Sequence, residues 1–294
     1  MPGSYGEKAI MPNGKQTTNF LNNNHQRYTG SAEADERPSC VKPILLGFAR
    51  ILYLPYKWLF FIPFLGISTC IFGTLAIILA YLVSPRFGSF VGGSFWARVN
   101  SFFTPMVVEV TGRENIDKKQ SYVIVSNHQS HYDIFVLYGW IGVDFKWVMK
   151  STLRKVPFLG PSCAKLDHVF IDRSNPKSAI ASINRAKEKI VNGTSVIFFA
   201  EGTRSSTGEL TPFKKGAFRF AMDLNIPILP VTIAGTRNIL PKGTMNLFPG
   251  KAKMMIHPPV AVEGYKDKDI QTLMDDIKTI IQSSLPSQQT TSRL

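Results

Sequence analysis

One uncharged apolar segment constrains the fold of this chain more than any other feature. From Trp58 to Val83 no residue is charged, and Leu, Ile and Phe dominate the composition. A bilayer is crossed by roughly 20 apolar residues, so this segment is long enough to enter one. Helices of soluble domains are rarely apolar on every face. We therefore expect the chain to attach to a membrane through this segment.

The residues around and within the segment favour a helical hairpin. Basic residues lie on both sides of it, and no acidic residue occurs between Glu36 and Glu109. A single crossing usually shows basic bias on one side only, and Pro63 can break a helix. The expected hairpin, Pro43–Ile62 followed by Phe64–Val83, would dip into one leaflet; a single tilted transmembrane helix is the alternative. The flanking cations would attract anionic headgroups; they are Lys42, Arg50, Lys57, Arg86 and Arg98.

The net charge indicates a negatively charged partner. The chain carries a formal charge of +14 and a pI of about 9.7, which suits a nucleic acid, an anionic membrane surface or a phosphorylated substrate. No nucleic-acid-binding motif accompanies the apolar segment, so no nucleic acid is expected. The cysteines at positions 40, 70 and 163 have no CxxC spacing, which favours a reducing compartment. We expect the globular part, with any functional site it carries, to face the cytoplasm, at a bacterial inner membrane or an intracellular eukaryotic one.

Composition divides the chain into four parts. Residues 1–40 are polar with scattered apolar positions, typical of a disordered tail. Residues 41–100 form the membrane-associated helical segment, residues 101–286 the globular domain and residues 287–294 a short C-terminal tail.

The globular part alternates β-branched runs with helical patterns. The runs are Val107–Val110, Tyr122–Val125, Lys146–Met149, Val169–Ile171, Val196–Phe199, Ile228–Ile233 and Lys253–Ile256. The clearest helix begins at Ser174-Asn175-Pro176 and closes at Asn192-Gly193, with a cap, an early proline and a terminal glycine. This order predicts an α/β fold with a mostly parallel central sheet flanked by helices. Functional sites of such sheets lie at the carboxyl ends of strands.

The stretch VSNHQSHYD follows one such strand. His128 and Asp133 are close enough for the carboxylate to bind one imidazole nitrogen if a helix starts near Ser126–Asn127. The other nitrogen could then accept a proton from a substrate hydroxyl. Alternatively, Asn127 caps the helix and the histidines are ordinary polar neighbours. No metal site is expected, because His168 and His257 lack tight spacing with His128 and no HExxH occurs.

Three further stretches narrow these alternatives. Phe170-Ile171-Asp172-Arg173 ends a strand with an arginine, and Phe199-Ala200-Glu201-Gly202-Thr203-Arg204 ends the next one. Ile226-Pro227-Ile228-Leu229-Pro230-Val231 is an apolar strand bracketed by prolines. Together with NHxxxxD, in this order, these blocks resemble the lysophospholipid acyltransferases, specifically the 1-acyl-glycerol-3-phosphate acyltransferase group. The resemblance runs from about Val107 to Pro259.

The resemblance implies a reaction and a site. A fatty acyl group would pass from an acyl thioester, acyl-CoA or acyl-ACP, to the free hydroxyl of lysophosphatidate, giving phosphatidate, with no bound cofactor. His128 would be the base and Asp133 its orienting partner, and the substrate-binding residues would be Arg173, Glu201, Gly202, Thr203 and Arg204. The alternatives are another acceptor (glycerol-3-phosphate, lysophosphatidylcholine or another lysolipid) and a non-catalytic membrane lipid-binding protein. Asp167 stands where the second block has glycine, and Ala200 where the third has proline; Lys165 is the expected partner of Asp167.

Overall fold

A computed structural model describes residues 51–172, 174–190, 192–265 and 269–286. All of them belong to one compact unit. The polar tail, residues 43–50 of the first expected hairpin arm, Arg173 and the C-terminal tail lie outside the described residues.

A seven-stranded sheet, in the order β1-β7-β6-β2-β5-β3-β4, organises the described residues. Every neighbouring pair is parallel except β6 with β7. The α/β fold with a mostly parallel sheet is therefore confirmed, and each expected run forms a strand. The strands are β1 (Met106–Thr111), β2 (Val123–Ser126), β3 (Phe145–Lys150), β4 (Val169–Ile171), β5 (Ser195–Phe199), β6 (Ile228–Ala234) and β7 (Gly250–Ile256).

Helices cover both faces of the sheet, which is why the central strands β2 and β6 are buried along their whole length. One face packs against α3 and α7 and the N-terminal helices, and the other against α5, α6 and α8. The globular helices are α3 (Tyr132–Trp140), α4 (Leu159–Lys165), α5 (Pro176–Ala186), α6 (Gly216–Leu224), α7 (Thr236–Ile239) and α8 (Ile270–Ser283). Short 3-10 turns cover Arg113–Asn115, Ser151–Lys155 and Lys187–Lys189.

The expected helix after Arg173 forms as α5, with the expected cap. The Asn175 side chain accepts a hydrogen bond from the Ser178 N–H at 3.1 Å, which satisfies one unpaired donor of the first turn. The α-helix ends at Ala186 and tightens into a 3-10 turn before Asn192-Gly193, so it is shorter than its sequence pattern indicated.

The N-terminal helix α1, Ile51–Leu82, runs without a break through Pro63, so the expected break at Pro63 is wrong. A π-helical stretch, Tyr56–Phe61, precedes the proline, which then occupies the beginning of the α-helical part Ile62–Leu82. The change from π-helical to α-helical bonding therefore coincides with the proline, which has no N–H to donate. Within the described part of the chain, α1 is the one helix long and apolar enough to cross a membrane by length and composition.

A second helical arm follows directly, so a hairpin does exist, with other boundaries than expected. Helix α2 covers residues 85–103 as Pro85–Ser89, a π-helical stretch Phe90–Phe95, and Trp96–Phe103. The turn lies at Val83-Ser84, where the Ser84 hydroxyl accepts a hydrogen bond from the Phe87 N–H at 3.1 Å. Hereafter "the hairpin" means α1 and α2.

Glycines let the two arms of the hairpin pack closely. A Cβ atom on Gly88 would lie 2.6 Å from the Ala76 carbonyl oxygen, and one on Gly92 would lie 2.4 Å from the Ala76 Cβ. Real Cβ atoms do not approach other heavy atoms this closely, so these positions require glycine for packing. By contrast, a Cβ on Gly66 meets nothing within 4 Å.

We expect Gly88→Ala to lower the free energy of unfolding by about 1–3 kcal/mol through overpacking of the arms. Gly66→Ala is the matched control and should be neutral or slightly stabilising, since alanine favours helix by up to ~1 kcal/mol over glycine. Denaturant unfolding of the purified proteins in detergent measures both. Equal stability of the two variants would show that the arms do not pack as described.

A buried histidine joins α3 to the sheet. His168 Nε2 lies 2.6 Å from the Tyr138 hydroxyl oxygen, and His168 Nδ1 accepts a hydrogen bond from the Trp147 N–H at 3.2 Å. Burial, helped by the nearby Lys146 charge, lowers the pKa of His168 to about 3. The ring is therefore neutral at physiological pH and acts as a structural link.

This pKa predicts a specific acid sensitivity. The pKa of His168 is about 6.5 in the unfolded chain and about 3 in the folded chain. Between these two pH values the unfolded chain therefore binds more protons than the folded chain. The free energy of unfolding should therefore fall as pH drops below about 6.5, by ~1.4 kcal/mol per pH unit, until about pH 3. The difference between wild type and His168→Phe in unfolding free energy, measured from pH 7 to pH 5, isolates this contribution. A pH-independent difference would contradict it.

Candidate active site

Three neighbouring strands bring the candidate residues together. Strands β5, β2 and β6 are adjacent and parallel, so their carboxyl ends lie at the same edge of the sheet. His128 follows β2, the Ala200–Arg204 turn follows β5, and Thr236 follows β6. The predicted site residues that the structure describes therefore lie at the carboxyl ends of neighbouring strands, and their function stays a prediction.

The His128 and Asp133 side chains form a pair. His128 Nδ1 lies 2.8 Å from Asp133 Oδ2. The carboxylate is fully buried, whereas the imidazole is 13% exposed. Nε2 of His128 has no hydrogen-bond partner among the described residues, so no protein contact there prevents it from accepting a proton.

The local backbone differs from the sequence expectation. Helix α3 begins at Tyr132, not near Ser126–Asn127, so His128 lies in a loop and Asp133 in the first helical turn. Asp133 Oδ2 accepts hydrogen bonds from the N–H groups of Gln129 at 2.7 Å and Ser130 at 2.9 Å. The carboxylate thus holds the loop in the conformation that brings His128 back to it, which a helix starting earlier would not allow.

Two further residues complete this arrangement: Thr236, which the sequence did not single out, and Asn127, which it offered only as a helix cap. The Thr236 hydroxyl donates to Asp133 Oδ1. The Asn127 side chain binds the backbone of Ile233 on β6, donating to its carbonyl and accepting from its N–H at 2.8 Å each. Asn127 is therefore not a helix cap. Both contacts depend on β2 pairing with β6, which no local pattern indicates.

Glu201 faces inward and joins two loops. Its Oε1 accepts a hydrogen bond from the His128 N–H at 2.9 Å, and its Oε2 accepts from the Thr211 N–H and hydroxyl at 2.9 and 2.8 Å. The residue is almost fully buried. The turn after β5 is further bound to the histidine loop by a Ser205 N–H to His128 carbonyl hydrogen bond of 2.7 Å.

Phe199 supports the imidazole from one face. Its ring stacks on His128 with centroids 3.6 Å apart and planes inclined by 6°. The stack restricts rotation of the ring, which the Asp133 contact alone would not do.

The remaining candidates border this centre. Gly202 adopts φ +72°, the left-handed region that favours glycine. Thr203 is exposed and Arg204 half-buried. Burial lowers the pKa of His131, and the Arg204 charge lowers it further. Arg173 lies outside the described residues, so its position relative to Arg204 stays a prediction.

An apolar cavity of about 580 Å³ opens beside Phe199. Its walls come from β3, β4, β5 and α5, and Gly202, Thr203 and Lys214 stand at its polar side. The apolar walls include Val148, Ile171, Ile180, Ile183 and Phe198. No group of three His, Cys, Asp or Glu side chains suited to a metal ion occurs in the described part of the chain.

The substitution at position 167 has a structural explanation. Asp167 adopts φ +63°, a conformation that glycine adopts without strain. Its carboxylate pairs with Lys189, not with Lys165 as expected. Lys165 instead lies over the Tyr81 ring of α1, 5.3 Å from the centroid.

We expect Thr236→Val to destabilise the fold by about 1–3 kcal/mol, because it leaves a buried carboxylate oxygen without its donor. Thr272→Val, on the exposed side of α8, is the matched control and should change stability by less than ~0.5 kcal/mol. Denaturant unfolding measures both. If Thr236→Val were as stable as its control, the hydroxyl would not be a needed partner of Asp133.

Comparison with known proteins identifies the family. The sequence matches the acyltransferase family over residues 107–234. It is 35% identical over 212 residues to the 1-acyl-sn-glycerol-3-phosphate acyltransferase of Saccharomyces cerevisiae, covering 69% of each chain. It is 34% identical over 177 residues to a chloroplastic 1-acyl-sn-glycerol-3-phosphate acyltransferase of Brassica napus, covering 60% of this chain and 51% of that protein. The chain thus spans about half the length of the Brassica relative.

A solved structure shares the fold. The crystal structure of the 1-acyl-sn-glycerophosphate acyltransferase of Thermotoga maritima matches with a TM-score of 0.68 and 27% identity, covering 81% of this chain and 96% of that one. Sequence and fold agree, and the resemblance is confirmed. The chain belongs to the acyltransferase family, together with relatives named 1-acyl-sn-glycerol-3-phosphate acyltransferases.

Proposed function

We propose that this protein transfers a fatty acyl group from an acyl thioester to the sn-2 hydroxyl of 1-acyl-glycerol-3-phosphate, giving phosphatidate. The observation that carries the proposal is the His128–Asp133 pair at 2.8 Å, with His128 Nε2 available at the carboxyl end of β2. The names of its relatives in yeast and Brassica point to the same reaction.

The geometry suits general-base catalysis by His128. With Nδ1 donating to Asp133, Nε2 carries the lone pair and accepts the proton of the substrate hydroxyl. The hydroxyl oxygen attacks the thioester carbonyl carbon and forms the new C–O bond. The C–S bond then breaks, and the thiolate takes the proton from His128. Asp133 stabilises the imidazolium during this sequence. Such a base contributes roughly 10²–10⁴-fold.

The acceptor phosphate would be bound by guanidinium groups. Arg204 stands at the edge of the centre and presents a fork of donors suited to phosphate oxygens, and Arg173 is the second candidate. Gly202 allows close backbone approach, and Thr203 is exposed beside it. Lys214, which lines the same cavity, adds positive charge.

We assign Glu201 a positioning role. Both of its carboxylate oxygens already accept hydrogen bonds from the His128 and Thr211 backbone and hydroxyl donors. It would act on the substrate indirectly, by holding the arginine turn against the histidine loop.

The apolar cavity beside Phe199 is our candidate for the acyl chain. It is lined by aliphatic and aromatic side chains and reaches the ring stacked on His128. A chain lying there would bring a carbonyl at its polar end near the base. The thioester would come from coenzyme A or acyl carrier protein, with no bound cofactor required.

Membrane attachment through one leaflet fits the contacts of α1. The globular domain touches the helix along its length. Phe248 packs on Tyr53 with ring centroids 6.2 Å apart, Phe158 packs on Gly73, and Lys165 lies over Tyr81. A helix bound to the domain at both ends would have to leave it in order to span a bilayer. The opposite face is exposed and apolar at 3–4-residue spacing, through Ile67, Ile71, Leu75, Ile78 and Leu82.

We therefore propose that the hairpin lies in one leaflet, in preference to a tilted transmembrane helix, and that the active site faces the cytoplasm. Residues 1–40 would form an N-terminal tail and residues 41–100 the hairpin segment. Residues 101–286 would form the acyltransferase domain and residues 287–294 the C-terminal tail.

The test uses detergent-purified protein and a long-chain acyl group supplied, in separate reactions, as acyl-CoA or as acyl-ACP. Lysophosphatidate, glycerol-3-phosphate and lysophosphatidylcholine are offered in parallel, and lipid products are separated and quantified. Phosphatidate should form from lysophosphatidate and drop by roughly 10²–10⁴-fold in His128→Ala. His131→Ala, which removes a neighbouring histidine without contact to Asp133, is the matched control and should retain activity.

Other outcomes change specific parts of the proposal. Acylation of glycerol-3-phosphate or lysophosphatidylcholine instead would keep the mechanism and replace the acceptor. Turnover only with acyl carrier protein would name the donor. Equal activity of His128→Ala and wild type would exclude His128 as the base.

A further inference from the structure

A second cavity lies at the end of the sheet opposite the catalytic pair. It measures about 240 Å³ and is bordered by α2, by the loop before β2 and by the loop before β3. His128 follows the carboxyl end of β2, whereas this cavity lies at the amino ends. The length of β2, four residues or about 13 Å at roughly 3.3 Å per residue, therefore separates the two sites. The residues used below are Arg86, Phe90, Ser94, Arg98, Lys118 and Asp144.

The rim of this cavity is cationic. Among the described residues, Arg86 and Lys118 form no ion pair. Arg98 Nε donates to the Gly139 carbonyl at 2.7 Å, which fixes the guanidinium at the rim without neutralising it. The acidic member, Asp144, lies 3.6 Å from Lys146 Nζ and accepts a hydrogen bond from the Thr194 hydroxyl at 3.3 Å. The cavity therefore carries uncompensated positive charge and suits a phosphate group.

The position of the rim on the hairpin indicates the source of that phosphate. Phe87 and Phe90, in the first two turns of α2, are 44% and 53% exposed, and Phe90 and Arg86 both line the cavity. Exposed aromatic rings beside cations are typical of the level of lipid headgroups, where basic pockets bind anionic ones.

We propose that this cavity is a non-catalytic binding site for the phosphate of an anionic phospholipid headgroup. The inference rests on membrane attachment of the hairpin but not on the acyl transfer, because none of its residues contacts the His128–Asp133 pair. The site would orient the domain on anionic bilayers by holding the amino ends of the strands at the headgroup level.

The experiment measures vesicle binding by the full chain in a flotation assay. One set of vesicles is phosphatidylcholine alone; in the other, part of it is replaced by phosphatidylglycerol. Wild type should bind the anionic vesicles more tightly. In Arg86→Gln/Lys118→Gln, the affinity for anionic vesicles should fall roughly fivefold for each cation removed. Each basic residue near an anionic surface contributes about 1 kcal/mol, which corresponds to that fold-change. Its binding to phosphatidylcholine alone, which reports the hairpin, should not change.

Two further variants separate a site from general charge attraction. Lys251→Gln/Lys278→Gln removes the same charge from β7 and α8, away from the cavity, and should keep the preference for anionic vesicles. Ser94→Phe fills the cavity without changing charge and should reduce that preference. Thermal unfolding checks that each variant folds.

Three outcomes would overturn the proposal. One is an unchanged anionic preference in Arg86→Gln/Lys118→Gln. Another is an equal loss in the Lys251→Gln/Lys278→Gln control, which would indicate diffuse attraction. The third is full competition by soluble inorganic phosphate at the concentration of accessible lipid phosphate, which would assign the cavity to a soluble ligand. Acyl transfer is assayed separately, so failure here leaves the proposed reaction standing.

Discussion

The buried carboxylate of Asp133 is the contact on which the rest of the site depends. A carboxylate removed from water is costly unless its oxygens are paired. Here one oxygen meets His128 Nδ1 and two backbone N–H groups, and the other meets the Thr236 hydroxyl. These donors come from the loop after β2 and the turn after β6. One side chain thereby fixes the histidine ring, the loop that carries it and the distance between two strand ends.

The hairpin packs against the part of the domain that carries this site. Phe61 of α1 and Ala97 of α2 belong to the same buried cluster as the α3 residues next to Asp133. Lys57 Nζ of α1 donates a hydrogen bond to the Met245 carbonyl at 3.1 Å. The loop that contains Met245 also contains Leu240, whose carbonyl accepts a hydrogen bond from the Ser130 hydroxyl at 2.7 Å. The apolar hairpin and the His128–Asp133 pair therefore belong to one packed body. With the membrane attachment proposed above, the lipid surface would also determine the orientation of the site.

Some of this could be predicted from the sequence because the signals are local. Alternating β-branched runs gave the seven strands, since burial on both faces selects such residues, and the spacing of His128 and Asp133 indicated their contact. Other features are not local. Thr236 reaches Asp133 only because β6 pairs with β2. For the same reason the Asn127 side chain hydrogen-bonds the backbone of β6 and does not cap a helix. Pro63 does not break α1, which is π-helical immediately before it, and Asp167 pairs with Lys189, which follows α5 in the sequence.

The central claim, that His128 Nε2 accepts the proton of the substrate hydroxyl, is tested most directly by chemical modification of the native enzyme. Diethyl pyrocarbonate acylates unprotonated imidazole nitrogens, and peptide mass spectrometry can follow His128 and His131 separately. We predict that activity falls in proportion to modification of His128, that lysophosphatidate slows both, and that modification of His131 does not track the loss. An enzyme fully modified at His128 that still forms phosphatidate would contradict the account.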